Sequence, residues 1–215
     1  MNPTSLLIIF SLHLISFWST VYYTQTHPTK KPSLSLRETL TQILINQWVI
    51  TPVFFILGFN YIGLNFQLDH TTLANELNPI IGIPRIMLQL MVLNVCFGLF
   101  HYLCHKNKWL FANIHYKHHE LDTAHGAGAI YCHPIEQIFV NLLPVFLALI
   151  FTRNEFYWSC LFVIYVSYET VMGHTPFERK KSSRHNLHHS FYTVNFGNFP
   201  YLLDKYVFGT YRSKE

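Results

Sequence analysis

The sequence predicts an all-α membrane protein, a multi-pass transmembrane helical bundle with a histidine-rich metal site at one membrane face. Three observations predict it: half of the 215 residues are apolar, several long apolar segments follow one another, and histidines cluster beside them. Only 12% of the residues are charged, about half the fraction usual in a soluble domain. Lipid is therefore the expected solvent for most of the chain.

Five apolar segments meet or approach the length of about 20 residues that crosses a bilayer. They are Ser5 to about Tyr23, about Leu44 to Phe66, about Ile83 to His105, about Ile135 to Phe151, and Phe156 to Met172. The first lacks the basic start and the small-residue cleavage site of a signal peptide, so we expect a retained anchor. The last two are short and are joined by a polar tip, Thr152 to Glu155. We expect a helical hairpin there, which either crosses twice or dips into the membrane.

The positive charges indicate an orientation. If every segment spans, thirteen of the fifteen Lys and Arg residues share one side, and the positive-inside rule makes that side cytosolic. The amino terminus then faces the opposite side. The excess of basic over acidic residues is small, 15 against 11, and apolar runs interrupt it, so a nucleic-acid partner is not expected.

Histidine is the outlier of the composition, with 14 copies. The pattern His-x-x-His-His occurs twice, and one further pair has i, i+4 spacing. Residues three and four apart share a helix face, so each group aims its imidazoles at about one point. The groups follow the ends of segments three and five, and one more histidine closes segment five. The nine candidate ligands are His101, His105, His115, His118, His119, His174, His185, His188 and His189.

Nine imidazoles exceed the capacity of one ion, since an octahedral site takes six, whereas two ions with four or five each use them all. The pattern therefore predicts a dinuclear site, with no catalytic residue beyond the metal ligands. Imidazole suits iron, copper, nickel and zinc, so ligand type leaves the metal open. His13, His27 and His70 are expected to be ordinary polar residues, and His125 lies off the ligand spacing.

His133 and Glu136 are candidates for a supporting role beside the ligands. His133 precedes Pro134, which can begin a helix and places Glu136 in its first turn. Both a structural role for His133 and a role in orienting a ligand imidazole, through His133 or Glu136, are open.

The three histidine groups resemble the histidine boxes of the fatty acid hydroxylase and sterol desaturase superfamily, over about residues 90 to 212. Asn94 stands where that family often has Asp. Further similar stretches are His133-Pro134-x-Glu136, Glu169 with His174, Asn195-Phe196-Gly197, and Leu203 to Thr210. The sequence departs from the sterol-type pattern at Thr175-Pro176 and at Leu203, where Ser-Gly and Trp are usual. By the resemblance, the candidates to support the ligands are His133, Glu136, Glu169, Asn94 and Asn195.

The resemblance implies a non-haem di-iron oxygenase whose histidines hold two Fe ions at the cytosolic face, with the endoplasmic reticulum as the expected location. Such enzymes use O2 and two electrons to hydroxylate or desaturate a lipid C–H bond. A sterol or a fatty acyl chain is the expected substrate, and cytochrome b5 or a similar donor, with an NAD(P)H reductase, is the expected electron source. Residues 1–89 would form an N-terminal transmembrane anchor region and residues 90–215 the catalytic domain.

Two other functions are compatible with a histidine-rich membrane protein. A metal transporter is expected to place ionisable residues along a path through its spans, and the central parts of these segments hold almost none. An inactive relative that acts as a scaffold for lipid enzymes also stays open, since every expected ligand is present.

Overall fold

The structure is a computed structural model that describes residues 3–26, 35–62, 78–121, 125–152, 156–175, 184–198 and 200–213. No strand occurs among these residues, so the predicted all-α fold is confirmed. The helices are α1 (Pro3–Thr26), α2 (Leu36–Ile45), α3 (Thr51–Ile62), α4 (Pro79–Lys106), α5 (Lys108–Leu110), α6 (Tyr116–His119), α7 (Pro134–Glu136), α8 (Leu143–Thr152), α9 (Phe156–Gly173) and α10 (Arg184–Phe191).

Turns of π-helix join several of these helices into longer rods. Asn46–Ile50 connects α2 to α3, Phe111–His115 connects α5 to α6, and Gln137–Leu142 connects α7 to α8. Such turns are frequent at functional sites because the extra residue redirects side chains. Each of these three carries at least one buried polar residue.

Four helical stretches are long and apolar enough to cross a membrane: Thr4–Thr26, Arg37–Gly58, Pro79–Lys106 and Pro134–Thr152. Together with α9, which has 18 residues and packs along α1, they form a bundle. The predicted multi-pass architecture is thereby confirmed. The tip expected between the last two segments falls at residues 153–155, outside the described residues, as do His27 and His70.

Two helix starts were predicted wrongly. The second apolar segment was expected from about Leu44, but α2 begins at Leu36, where Ser35 and Glu38 form a reciprocal capping box. That motif satisfies backbone donors of the first turn, so the helix starts well before the apolar run. Likewise α4 begins at Pro79 rather than near Ile83, because the Asn78 side chain accepts a hydrogen bond from the Ile80 N–H.

Helices α1 and α9 run parallel. Ser16 Oγ donates to the Ile164 carbonyl at 2.9 Å, and further along, a Cβ added at Gly126 would meet both Thr24 and Val171. The carboxyl ends of α1 and α9 therefore lie at the same face of the bundle. The last histidines of α4 lie at the same face, where α9 also ends. The candidate ligands are therefore close together at this face.

Candidate metal centre

Four parts of the chain deliver the nine candidate histidines. Helix α4 carries two histidines near its end, and the π turn together with α6 carries three. One histidine, His174, directly follows α9, and α10 carries the last three. After α4 ends, the Asn107 side chain accepts from the Trp109 and Leu110 N–H groups and starts the next helical stretch. That turn brings the second histidine box back against the first. Eight of the nine histidines are buried, and His105 is half-buried.

The structure brings all nine together, in two groups. Within each group the nearest ring nitrogens all lie within 4.8 Å of one another. The first group is His101, His105, His115, His119 and His188, and the second is His118, His174, His185 and His189. The sequence predicted four or five ligands for each ion, and the two groups have five and four. The groups do not follow the three histidine boxes of the sequence, because α6 and α10 each contribute histidines to both groups.

Distances between ring nitrogens fit neighbouring ligands of one ion. In the five-histidine group, Nε2 of His115 lies 3.1 Å from that of His101 and 2.8 Å from that of His105. In the four-histidine group, Nε2 of His174 lies 3.1 Å from that of His118 and 3.0 Å from that of His185. Two metal–nitrogen bonds of about 2.1 Å at a right angle separate their nitrogens by about 3.0 Å.

The hydrogen-bond partners of Nδ1 determine the tautomers of these histidines, and in those tautomers the Nε2 lone pairs of neighbouring rings face one another. Backbone carbonyls only accept hydrogen bonds, and one lies beside Nδ1 of His118 (Tyr131, 3.3 Å) and of His174 (Thr170, 2.8 Å). Each Nδ1 therefore carries the proton, and each Nε2 presents a lone pair. At 3.1 Å these two lone pairs repel each other unless a cation lies between them.

Protonation does not relieve that repulsion near neutral pH. Burial lowers the pKa of His118 to about 3 and that of His174 to about 4, both below the usual 6.5. Burial also holds the pKa of His185, His188 and His189 well below that value. Neutral imidazole is the form that binds metal ions, so the donor set fits a metal centre in both groups.

Carbonyls and one carboxylate also orient the five-histidine group. Nδ1 of His101 lies 2.7 Å from the Phe196 carbonyl, and Nδ1 of His188 lies 2.8 Å from that of Val194. Nδ1 of His115 lies 2.7 Å from Oε1 of Glu136, which is itself buried. Such partners fix the ring orientation and, where the partner is a carboxylate, raise the basicity of the ligand nitrogen.

Two predicted supporting residues brace the loops behind the centre rather than the rings. Asn94 donates to the Asn198 carbonyl and accepts from the Leu202 N–H. Asn195 accepts from the Arg212 N–H at 2.8 Å and donates to the carbonyl of Arg184, the first residue of α10. Both are buried.

Asp204 is a supporting residue that the sequence interpretation did not single out. Its carboxylate accepts from the N–H groups of Phe196 at 2.7 Å and Gly197 at 2.8 Å, and from Thr210 Oγ1 at 2.7 Å. It thereby fixes the segment whose Phe196 carbonyl faces His101. The signal in the sequence was its place in the closing stretch of the family pattern.

The two remaining candidates make no hydrogen bond to the ligand rings in the described part of the chain. His133 caps α7, because its Nδ1 accepts from the Ile135 N–H at 3.2 Å. Glu169 is exposed on α9 and lines a cavity beside the centre. The supporting roles predicted for these residues therefore stay predictions.

Two cavities reach the centre from different sides. On the bundle side, five of the nine histidines border a cavity. Its other lining residues are mixed, with apolar ones such as Leu93, Phe97 and Val140 and polar ones such as Glu136 and Asn141. On the other side, a more open cavity lies against His105, Lys106, Tyr116 and Tyr192. The centre is thus accessible from the apolar interior and from the opposite face.

The fold and the site define an integral membrane protein with a buried polyhistidine centre. The chain belongs to the fatty acid hydroxylase family, which matches residues 86–210, more than half of its 215 residues. The resemblance carried by the histidine boxes is thereby confirmed.

The chain is similar to several curated proteins whose names describe hydroxylases or monooxygenases. Sphinganine C4-monooxygenase 1 of Arabidopsis thaliana is 23% identical over 88% of this chain and 76% of its own length. A cholesterol 25-hydroxylase-like protein of Caenorhabditis elegans is 34% identical over 42% of this chain and 33% of its own length. A fatty acid hydroxylase of Mycosarcoma maydis is 30% identical over 41% of this chain and 24% of its own length.

The chain spans 24% to 54% of the length of the matched relatives other than the first. The names of these relatives support an oxidoreductase that acts on lipid. No solved structure matches the chain.

Proposed function

We propose that the chain is a membrane-bound di-iron oxygenase that hydroxylates or desaturates a lipid C–H bond with O2 and two electrons. The observation that carries the proposal is the presence of two histidine groups. Within each group, the Nε2 atoms of neighbouring rings face one another at about 3 Å. In this proposal the five-histidine group holds one ion and the four-histidine group holds the other.

Family membership supports iron among the metals that imidazole accepts. Oxidation of an unactivated C–H bond by O2 needs a redox-active metal, and zinc has no redox chemistry. When bound, the irons supply the oxidising chemistry. The protein then has three tasks: to hold the imidazoles in place, to keep water away and to orient the lipid.

The residues of the centre serve those tasks. Backbone carbonyls and Glu136 fix the ring planes, so the nitrogens stay aimed inward without reorganisation. Burial of the histidines excludes water. Leu93, Phe97 and Val140 offer an alkyl chain an apolar path to the ligand face. A sterol or a fatty acyl lipid therefore suits the approach from the membrane.

Electrons come from a separate protein in this proposal, cytochrome b5 or a similar donor supplied by an NAD(P)H reductase. The cavity at His105 and Tyr192 is the approach to the centre on the face away from the apolar interior. We also propose that residues 90–215 form the catalytic part. In this proposal residues 1–89 form an N-terminal anchor region, and its described part packs against the catalytic part: Thr39 Oγ1 contacts His125, and Asn46 donates to the Ile130 carbonyl.

The product assay tests this function. Purified protein is loaded with iron, reduced and given O2 in the presence of a membrane lipid extract, and the lipids are compared by mass spectrometry. Hydroxylated or desaturated products that need both iron and O2 are the expected result. Lipids unchanged by an iron-loaded, folded protein would contradict the proposal.

The location and orientation that we propose are an endoplasmic reticulum membrane with the metal centre at its cytosolic face. An N-glycosylation acceptor introduced near Asp69 is expected to be modified, whereas one introduced near Lys180 is not, because only the lumenal side carries out that modification. A mass shift on a gel, removed by a glycosidase, reads out each variant. The reverse pattern would place the centre on the other side.

A further inference from the structure

Glu169 places a carboxylate at the end of an exposed apolar stripe on α9. Leu161, Tyr165 and Glu169 are spaced by four residues, so they share one face of the helix. All three are exposed, Leu161 to 49% and Tyr165 to 39%. On the outside of a membrane bundle, such apolar side chains face lipid. Glu169 therefore borders the lipid phase, where ionisable side chains are rare and generally serve a function.

The same side chain lines the cavity on the bundle side of the histidine centre. Because Glu169 is also exposed, it lies at the mouth of that cavity. Five candidate ligands border the cavity, among them His101, His118 and His174. The mouth opens towards lipid, since the exposed stripe of α9 ends there. A lipid that enters sideways at Glu169 thus meets the histidines.

The Glu169 carboxylate has no partner in the described part of the chain, neither a hydrogen-bond donor nor a cation. Glu136, the other carboxylate of this cavity, differs because it accepts from His115 at 2.7 Å. None of the described lining residues is Lys or Arg. The carboxylate at the mouth is therefore free to meet a ligand.

A free carboxylate at this place distinguishes lipid headgroups by their charge. An ammonium group offers it both a charge-assisted hydrogen bond and Coulomb attraction. A hydroxyl donates a hydrogen bond without that attraction, and the carboxylate of a free fatty acid is repelled. Water is scarcer beside lipid than in bulk solution, so these charge interactions are less screened.

The distance to the centre follows from helix geometry. Glu169 precedes His174 by five residues, and His174 directly follows α9. At 1.5 Å per residue, five residues span about 7.5 Å along the helix axis. A headgroup held at Glu169 therefore places the carbons close to that headgroup beside the histidines, and the methyl end of a long chain lies beyond them.

We propose that Glu169 binds the ammonium group of a long-chain amine and so selects the lipid that reaches the histidine centre. This inference rests on the proposed function for the identity of the bound lipid as substrate. It narrows the substrate class, because a cationic lipid is favoured over a neutral one and a free fatty acid is disfavoured. Glu169 acts on specificity and holds neither a metal ligand nor a ligand's partner.

Binding is measured on the purified full chain in a non-ionic detergent, without reductant, so that no turnover occurs. Tritiated 1-octadecanol is displaced by unlabelled 1-octadecanol, octadecylamine or stearic acid at neutral pH, where an alkylamine is cationic like Lys. Affinities are expressed per mole fraction of lipid in the micelle, so that partitioning into detergent cancels. We expect octadecylamine to bind about tenfold more tightly than 1-octadecanol, which corresponds to about 1.4 kcal/mol, and stearic acid to bind more weakly than the alcohol.

Two matched variants locate the effect. Glu169→Gln keeps the size of the side chain and removes its charge, so the preference for the amine is expected to fall to about one. Glu120→Gln makes the same change outside this cavity, where the carboxylate accepts from the Tyr131 hydroxyl, and it is expected to keep the preference. Equal losses in the two variants would contradict the assignment to Glu169.

The wild-type comparison needs no variant, so misfolding of Glu169→Gln does not hide the answer. Equal affinity of wild type for octadecylamine and 1-octadecanol would overturn the recognition site, whatever the turnover. An amine preference that persists in folded Glu169→Gln would overturn it as well. A preference that depends on Glu169, in a protein that oxidises no lipid, would instead contradict the oxygenase proposal and keep the recognition site. The two failures are therefore distinguishable.

Discussion

His118→Ala and His188→Ala are each expected to reduce lipid turnover by roughly a hundredfold or more, since loss of a mere supporting partner already changes metal affinity or activity 10–100-fold. His118 belongs to the four-histidine group and His188 to the five-histidine group, so the two variants disturb the two groups separately. If both ions are needed, either change alone removes turnover. The product assay on membranes with matched protein levels measures it.

His133→Asn separates the two roles that the sequence leaves open for His133. His133 caps α7 through its Nδ1, and asparagine is a strong capping residue, so the variant keeps the cap and removes the imidazole. Turnover close to that of wild type is expected if His133 only caps α7, whereas a 10–100-fold loss would support its predicted role in orienting a ligand. Product formation at near wild-type rate in His118→Ala or His188→Ala would show that the corresponding histidine group is not required.

Glu136→Gln is expected to weaken metal binding by the five-histidine group 10–100-fold. Oε1 of Glu136 accepts from His115 Nδ1 at 2.7 Å, and its negative charge raises the basicity of the opposite ring nitrogen. Glutamine keeps an acceptor but removes the charge, so the variant separates electrostatics from geometry. Competition with a metal chelator, read as metal remaining per chain, gives the affinity change.

Glu120→Gln provides the comparison for that effect. Glu120 follows His119 directly, but its Oε2 accepts from the Tyr131 hydroxyl at 2.8 Å. Metal retention by Glu120→Gln is expected to equal that of wild type. If Glu136→Gln also retained metal like wild type, the carboxylate would have no part in tuning His115.

Much of the site was predictable because helix periodicity acts locally. Spacings of three and four residues already aim each box at one point, and the positions of the boxes beside the apolar segments indicate that they meet. The division into two groups was not predictable residue by residue, since His118 and its neighbour His119 enter different groups. That depends on how α6 is rotated against α4 and α10, which the spacing does not determine.

A group of three polar side chains inside the bundle was not predicted to meet, for a similar reason. His13, Gln47 and Ser167 lie on three separate helices and meet only through tertiary packing. A single polar residue in an apolar segment carries no signal of its partners. The early start of α2, in contrast, was readable from Ser35 and Glu38, because a capping box is a local motif.

Metal content and Mössbauer spectroscopy of the purified protein, expressed with iron-57, then reduced and exposed to O2, test the central claim most directly. The account predicts close to two irons per chain, in agreement with the five- and four-histidine groups, and oxidation of that iron on exposure to O2. Zinc as the sole bound metal, with no iron-dependent activity after reconstitution, would contradict it and favour a metal-handling or scaffold protein.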